Sequence, residues 1–298
     1  MDTTWLDDLQ ALAKTLNFSR AAEARNITQP AFGRRIRALE TWCGATLIDR
    51  STHRLSLTPA GRIMMDAAGD VGQRLDRARR EIAQAQTATA TLTFAATHAL
   101  SFRFFPGWMQ GLGTEMAALP VRLLSDNMKE CERVLLSGDA QFLLCHHHPA
   151  SPTALPEADF RHIVLSHDRL VPVSLRDGAK PRFALPGTRD APVPALRYET
   201  GSGMGRILDA VLFAKTGELH LAPVLTSHLA MVLHALAIEG RGVAWVPESL
   251  AAPELRDDGR LVLAGGAEWS VAVEIGLFRP RSRLPDMAER FWQQARRA

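Results

Sequence analysis

Eight arginines fall within residues 20–62, against only Glu23, Glu40 and Asp49. Guanidinium groups at that density suit a polyanion. Arginine holds phosphate or reads guanine, and a glutamine such as Gln29 reads adenine. Two later stretches, Thr97-His98-Ala99-Leu100-Ser101 and Thr200-Gly201-Ser202-Gly203-Met204, mix hydroxyls, glycines and a thioether. Hydroxyls donate hydrogen bonds and glycines admit close backbone approach, which suits a small anion. Cys145-His146-His147-His148 contains metal-ligating types. Strand alternation puts His146 and His148 on one face and His147 on the other. No second ligand cluster stands nearby in sequence, so no metal site is expected. One of these histidines, His147, is expected to line a cleft.

Other chemistries lack their signatures. There is no GxSxG elbow, no P-loop and no GxGxxG after a strand, so an enzyme using His98 or the histidine run is a remote reading. The three cysteines, Cys43, Cys131 and Cys145, have no CxxC spacing. They support neither a disulfide framework nor a zinc finger, and reduced cytosol is the expected compartment. The acidic N-terminus does not read as an export signal, which argues against a transport component, and no apolar run predicts a membrane span. No cofactor is expected.

These residues need elements to hold them. A chain of 298 residues suggests about two folding units. Its net charge of +3 comes entirely from residues 1–90, which carry 13 basic and 10 acidic side chains. Apolar residues at 5, 9, 12 and 16 predict a first helix. Ser19 is a candidate N-cap for a short second helix, and Thr28 for a third running from Gln29 to about Trp42 with Pro30 in its first turn. Phe32, Ile36 and Leu39 make the third helix's inner face, leaving Gln29, Gly33, Arg34 and Arg37 outward with Arg35 beside them. This is a helix-turn-helix pattern. The alternative is a surface helix with a charged face.

Residues 47–57 predict two short strands around a turn, a wing that places Arg50 and Arg54 to meet phosphates. Thr58-Pro59-Ala60-Gly61 then opens a helix to about Gln86, with apolar positions Ile63, Ala67, Val71, Leu75, Ala78, Ile82 and Ala85. That spacing is close to a heptad seam, so a second copy of the helix is the expected partner. Residues 87–90 read as a linker. Strand candidates follow at 92–96, 121–124, 140–145, 162–166, 169–174, 195–199, 222–226, 242–246, 261–263 and 270–278. Helices between them, at about 101–112, 128–137, 203–215, 228–239 and 285–297, predict α/β units with a mainly parallel sheet.

Phe18-Ser19-Arg20-Ala21-Ala22, Thr28-Gln29-Pro30-Ala31-Phe32, Ile36-Arg37-Ala38-Leu39-Glu40 and Leu57-Thr58-Pro59-Ala60-Gly61, in that order, resemble the LysR-type transcriptional regulators. The long helix and α/β remainder extend the resemblance over the whole chain. A likeness to the hypochlorite-responsive members is carried by Ala95 to Ser101, Gly203-Met204-Gly205-Arg206, Gly242 to Glu248 and Ala288 to Trp292. Two departures stand out. Gly33 replaces the family's usual serine, and Ile48 its usual phenylalanine. Both bear on which bases are read and leave the expectation of DNA binding intact.

The resemblance implies an α/β protein with a winged helix-turn-helix at 1–62 and a dimerising linker helix and hinge at 59–90. A periplasmic-binding-protein-like regulatory domain follows at 91–298, with one subdomain at 91–160 and 266–298 and the other at 161–265. DNA contacts fall to Ser19, Arg20, Thr28, Gln29, Pro30, Gly33, Arg34, Arg35, Arg37, Arg50 and Arg54. Effector contacts fall to Thr97, His98, Ser101, His147, Thr200, Gly201, Ser202 and Met204. The implied partners are double-stranded DNA, further copies of the chain as dimer and tetramer, RNA polymerase, and a small effector or oxidant, with no membrane. Hypochlorous acid attacks thioether and thiol sulfur, which makes Met204 the redox candidate ahead of Cys131 and Cys145. Gating by a small carboxylate or other anion is the alternative.

Overall fold

The computed structural model describes residues 1–51, 55–86, 91–213 and 219–297. Arg54, the expected linker at 87–90 and the end of the helix expected over 203–215 lie outside the described residues. The chain forms two compact units, Met1–Ala83 and Gln84–Ala298. Among the described residues, no helix is long and apolar enough to cross a membrane.

In the first unit, helices α1 (Thr4–Thr15), α2 (Phe18–Ala24) and α3 (Gln29–Cys43) precede strands β1 (Ile48–Asp49) and β2 (Ser56–Leu57), which pair antiparallel, and α4 (Pro59–Gln86). Leu6, Leu9 and Leu12 meet Ala21, Ala22, Phe32, Ile36 and Leu39 in one core. The spacing that puts Leu16 on the buried face of α1 fails at the helix end. Leu16 takes a left-handed C-cap at φ 46° and is exposed, while Leu6 is buried. Ser19 is not the cap of α2: Asn17 stands one place before the helix, in extended backbone, and its side chain accepts the Arg20 N–H at 3.0 Å. Thr28 occupies the N-cap position of α3 but makes no side-chain cap bond.

Glu40, Thr58 and Gly61 fix the wing. The Glu40 carboxylate accepts the N–H groups of Leu47 and Ile48 at 3.0 and 3.3 Å and pairs with Arg50 at 3.2 Å. At Gly61, any Cβ would run into the Leu47 carbonyl, so only glycine lets α4 start that close to the wing. The Thr58 hydroxyl accepts the Gly61 N–H at 3.0 Å and donates to the Thr46 carbonyl at 2.7 Å.

The second unit holds a ten-stranded sheet. Its first half carries β3 (Leu92–Thr97), α5 (His98–Arg103), α6 (Phe105–Gly111), α7 (Thr114–Ala117), β4 (Val121–Asp126), α8 (Met128–Leu136) and β5 (Phe142–His147). Then come β6 (Phe160–Asp177), β7 (Lys180–Pro181), β8 (Val193–Tyr198), α9 (Gly203–Leu208), β9 (Leu221–Ser227), α10 (Ala230–Ile238), β10 (Val243–Pro247), α11 (Glu248–Ala251) and β11 (Leu261–Leu263). The chain closes with β12 (Val271–Pro280) and α12 (Asp286–Ala295).

Several expectations need correction. The helix expected over 101–112 is two, because Pro106 in the first turn of α6 has no N–H with which to continue α5. The strands expected at 162–166 and 169–174 are one strand of 18 residues. The helix after Gly203 widens into a π-turn at Asp209–Phe213. The sheet is mixed rather than mainly parallel: β3 pairs parallel with β4 and β5, and β8 with β9 and β10, but β12 runs antiparallel to β5 and β6, and β10 antiparallel to β6. The reason is that β6 and β12 each thread both halves of the sheet in opposite directions.

The halves also do not meet at the 160/161 and 265/266 joints. On β12, Val271 and Val273 belong to one apolar core while Ile275 and Leu277 belong to another. On β6, Ile163 and Leu165 pack with the latter and Leu170 with the former. The changeover therefore falls inside both strands. The fully buried Arg279 pins α12, bonding Glu289 with two contacts of 2.7 Å. Those bonds hold the Glu289 carboxyl down at about 2.

Candidate nucleic-acid interface and effector cleft

In the first unit the alternation of α3 decides which side chains face out. Phe32, Ile36 and Leu39 are fully buried, so Gln29, Pro30, Arg34 and Arg37 stand exposed, as do Ser19, Arg20 and Thr28. Phe18, Gln29, Pro30, Gly33, Arg37 and Arg50 line an open concavity of about 360 Å³. The Ser19 hydroxyl donates to Gln29 Oε1 at 3.2 Å. That bond occupies the amide oxygen and leaves the amide nitrogen to donate. A Cβ at Gly33 would meet only the Arg37 guanidinium, at 3.9 Å, so packing within the chain does not require glycine there.

Two of the expected arginines have internal partners. Arg35 lies 3.4 Å from Asp8, a fully buried carboxylate that also binds Arg25 at 2.8 Å. Unpaired, that buried charge would be costly, so Arg35 and Arg25 serve the joint of α1 with α2 and α3. Arg50 pairs with Glu40 and lays its guanidinium 5.2 Å from the centre of the Phe18 ring. Asp8 and Glu40 are thus the functional supports that a search for basic residues misses. Their position on or beside the inner faces of α1 and α3 is their only sequence signal.

In the second unit, the ends of β3, β4 and β5 and the start of α9 converge on a cavity of about 30 Å³. Thr97, His98, Ser202 and Met204 line it, together with Asp126, Asn127, Met128, His146 and His228. A water needs roughly 10–15 Å³, so the space suits one or two water-sized occupants. Met204 is 8 % exposed and belongs to the core of the second half. Ser202 caps α9, its Oγ accepting the Gly205 N–H at 3.5 Å.

The remaining expected contacts are placed differently. Thr200 and Gly201 are exposed in the turn before α9 and are absent from the lining. Ser101 stands behind His98, with its Oγ 2.7 Å from Ser125 Oγ, which is 3.0 Å from His98 Nδ1. His147 is not at the cavity; His146 is. Alternation along β5 sends His147 to the opposite face, where it meets Phe278 and Glu274.

His146 is 5 % exposed and neither of its ring nitrogens has a hydrogen-bond partner. Its Nε2 stands 3.8 Å from the Asp168 carboxylate, beyond direct hydrogen bonding. Burial pushes the Asp168 carboxyl up, but the nearby His146 ring and the hydrogen bonds from the Ser249 hydroxyl and the Arg169 N–H outweigh it and leave the group below its ordinary value. The Thr97 hydroxyl is likewise buried without a partner. Across the cleft, Arg206 on α9 bonds Glu132 on α8 at 3.2 Å, joining the two halves of the unit.

Sulfur chemistry narrows at the same place. Burial pushes the Cys131 thiol up to about 12 and holds the fully buried Cys145 thiol well above its ordinary value. Neither supplies the reactive thiolate, whereas a thioether needs no deprotonation. Met204 and Met128 are the sulfur side chains that line the cavity.

Residues 3–62 match the model of bacterial regulatory helix-turn-helix proteins of the lysR family, and residues 85–298 match the LysR substrate binding domain. The HTH-type transcriptional regulator YjiE of Escherichia coli is 32 % identical over 301 residues, covering 99 % of this chain and 94 % of its own. The full-length structure of HypT from Salmonella typhimurium, a hypochlorite-specific LysR-type regulator, is 29 % identical, with a TM-score of 0.60 over 99 % of this chain and 98 % of that one. Its regulatory domain, solved with bromide bound, is 26 % identical at a TM-score of 0.59 and covers 70 % of this chain and 95 % of that one. DarR from Vibrio fischeri, solved in complex with DNA, is 28 % identical with a TM-score of 0.57 over 99 % and 98 % of the two chains.

Proposed function

The chain belongs to the LysR family of bacterial transcriptional regulators, and we propose that it reads DNA through α3 and the wing while an oxidant in the cleft sets its regulatory state. Gln29, Arg34 and Arg37, with Gly33 between them, enter the major groove. Ser19, Arg20, Thr28, Pro30 and Arg50 position the unit, with Arg54 added from the wing tip and Arg35 bracing α3 from behind. The exposed apolar face of α4 seats a second copy of the chain, and pairs of dimers assemble further. RNA polymerase is the onward partner at the promoter.

The observation that carries the oxidant reading is a buried thioether, Met204, lining a cavity that suits only water-sized occupants. Hypochlorous acid is of that size. The Met204 sulfur gives up two electrons and gains the oxygen as sulfoxide; chloride leaves and the proton goes to solvent. The product is a strong acceptor inside an apolar core. Left unpaired it would cost about 1–3 kcal/mol. Thr97 and His146, both unpartnered beside the same cavity, supply donors that convert this cost into a preference for one cleft arrangement. A bias of 1.4 kcal/mol is already tenfold in population. HypT, a hypochlorite-specific relative whose regulatory domain takes up bromide, supports a site of this size and chemistry.

Peptide mass mapping of the intact protein after exposure to stoichiometric hypochlorous acid tests the reading. Met204 gains one oxygen before the exposed Met1 and Met231 are exhausted. Protection of Met204 until the protein unfolds would refute it. The unpartnered Thr97 hydroxyl and His146 ring favour one further reading, a regulator gated reversibly by a small anion. It predicts stabilisation by halide or carboxylate with no change of mass.

A further inference from the structure

His147 leaves the effector cleft for a different company. On the opposite face of the sheet it meets His162 of β6 and Glu274 of β12, and one ligand atom from each of the three lies within 4.8 Å of the others. These residues come from three adjacent strands, with Glu274 distant in sequence from the two histidines. β12 lies between β5 and β6, and Glu274 is the ladder partner of His147. His167 is in register with Glu274 on the other side but stands outside this group.

We propose that His147, His162 and Glu274 form a binding site for a divalent transition ion of the zinc class. Two borderline imidazoles and one hard carboxylate make a donor set suited to such an ion, and three protein ligands leave a position for water or a further ligand. His147 Nδ1 is already 3.3 Å from Glu274 Oε2. Ligands at about 2.0–2.2 Å from a tetrahedral ion lie roughly 3.4 Å apart, so this pair is spaced for coordination. His162 closes the set by a rotamer adjustment of its exposed ring.

The surroundings explain why two imidazoles meet here. The two imidazole rings stand 4.9 Å apart, and the buried Phe278 lies against both, stacking on His162 at 4.6 Å and 22° and meeting His147 edge-on at 5.5 Å and 65°. Gly276 makes room for that ring, since a Cβ there would stand 2.8 Å from Phe278 Cε2. Against the deep wall of Phe278, the ligands are reached from solvent through His162. An ion held here ties β5, β6 and β12 together just where the two long strands leave the first half of the sheet.

The test is zinc binding by the untagged, full-length chain after treatment with chelator, measured by competition with a chromophoric chelator. One equivalent binds to the wild type and raises its thermal midpoint. His162→Gln and Glu274→Gln each weaken that equivalent by about tenfold or more, and the midpoint shift disappears. His148→Gln, which changes the neighbouring histidine just past the end of β5 and outside the three-residue group, leaves both readouts unaltered. The exposure of His162 makes His162→Gln safe for folding, and the metal-free midpoint verifies it. Absence of a wild-type equivalent, equal binding by His162→Gln, or an equal loss in His148→Gln would overturn the proposal.

Discussion

Gly33 is the place where single-residue chemistry separates packing from recognition. A glycine inside a helix costs about 1 kcal/mol relative to alanine, and nothing in the chain requires it, since its Cβ position meets only the tip of Arg37. Gly33→Ala therefore raises the thermal stability of the first unit by about 1 kcal/mol. If the bare backbone serves close approach to DNA, the same change weakens operator binding, as titration of wild type and variant on one operator will register. Undiminished affinity would show that Gly33 contributes nothing to recognition. Gly61 is the opposite case, because its space is taken by the Leu47 carbonyl. Sequence motifs alone do not distinguish the two glycines. His147 carries the same lesson: alternation revealed that His146 and His147 part company, but not which of them faces the cleft.

At the scale of elements, α4 presents two faces. Ala60, Met64, Met65, Ala68 and Val71 pack on the first unit's core. Ile63, Leu75 and Ile82 are 72 %, 56 % and 61 % exposed, and Ala67 and Ala78 are exposed with them. Val71 therefore belongs to the packed face rather than to an open seam, and the side chain of Ala85 lies outside the described ones. Exposed leucine and isoleucine at helical spacing are costly to leave in water, at roughly 25 cal/mol per Å². The double variant Leu75→Glu, Ile82→Glu will sediment as a smaller species than wild type while keeping its helix content. An unchanged sedimentation coefficient would place the subunit contact elsewhere. Periodicity made α4 legible in the sequence. It did not reveal the break between α5 and α6 or the fusion of two expected strands into β6, because those follow from Pro106 and from a strand that must serve two halves of one sheet.

For the whole molecule, the legible part was the order of motifs and the charge excess of the first unit. The less legible part was every contact made by residues distant in sequence: Arg206 with Glu132 across the cleft, Asp168 behind His146, and the Thr97 hydroxyl beside Met204's cavity. In the proposed mechanism the cleft has two arrangements that Met204 biases, and the readout is DNA binding. The direct measurement is therefore a mobility-shift titration of the chain's own upstream region at fixed salt, since phosphate contacts make affinity strongly salt-dependent. Wild type and Met204→Leu are compared before and after hypochlorous acid. Both should bind untreated DNA, and only the wild type should change its affinity or footprint on oxidation. An equal oxidation response in Met204→Leu, or no binding by either protein at low salt, would contradict the proposed mechanism.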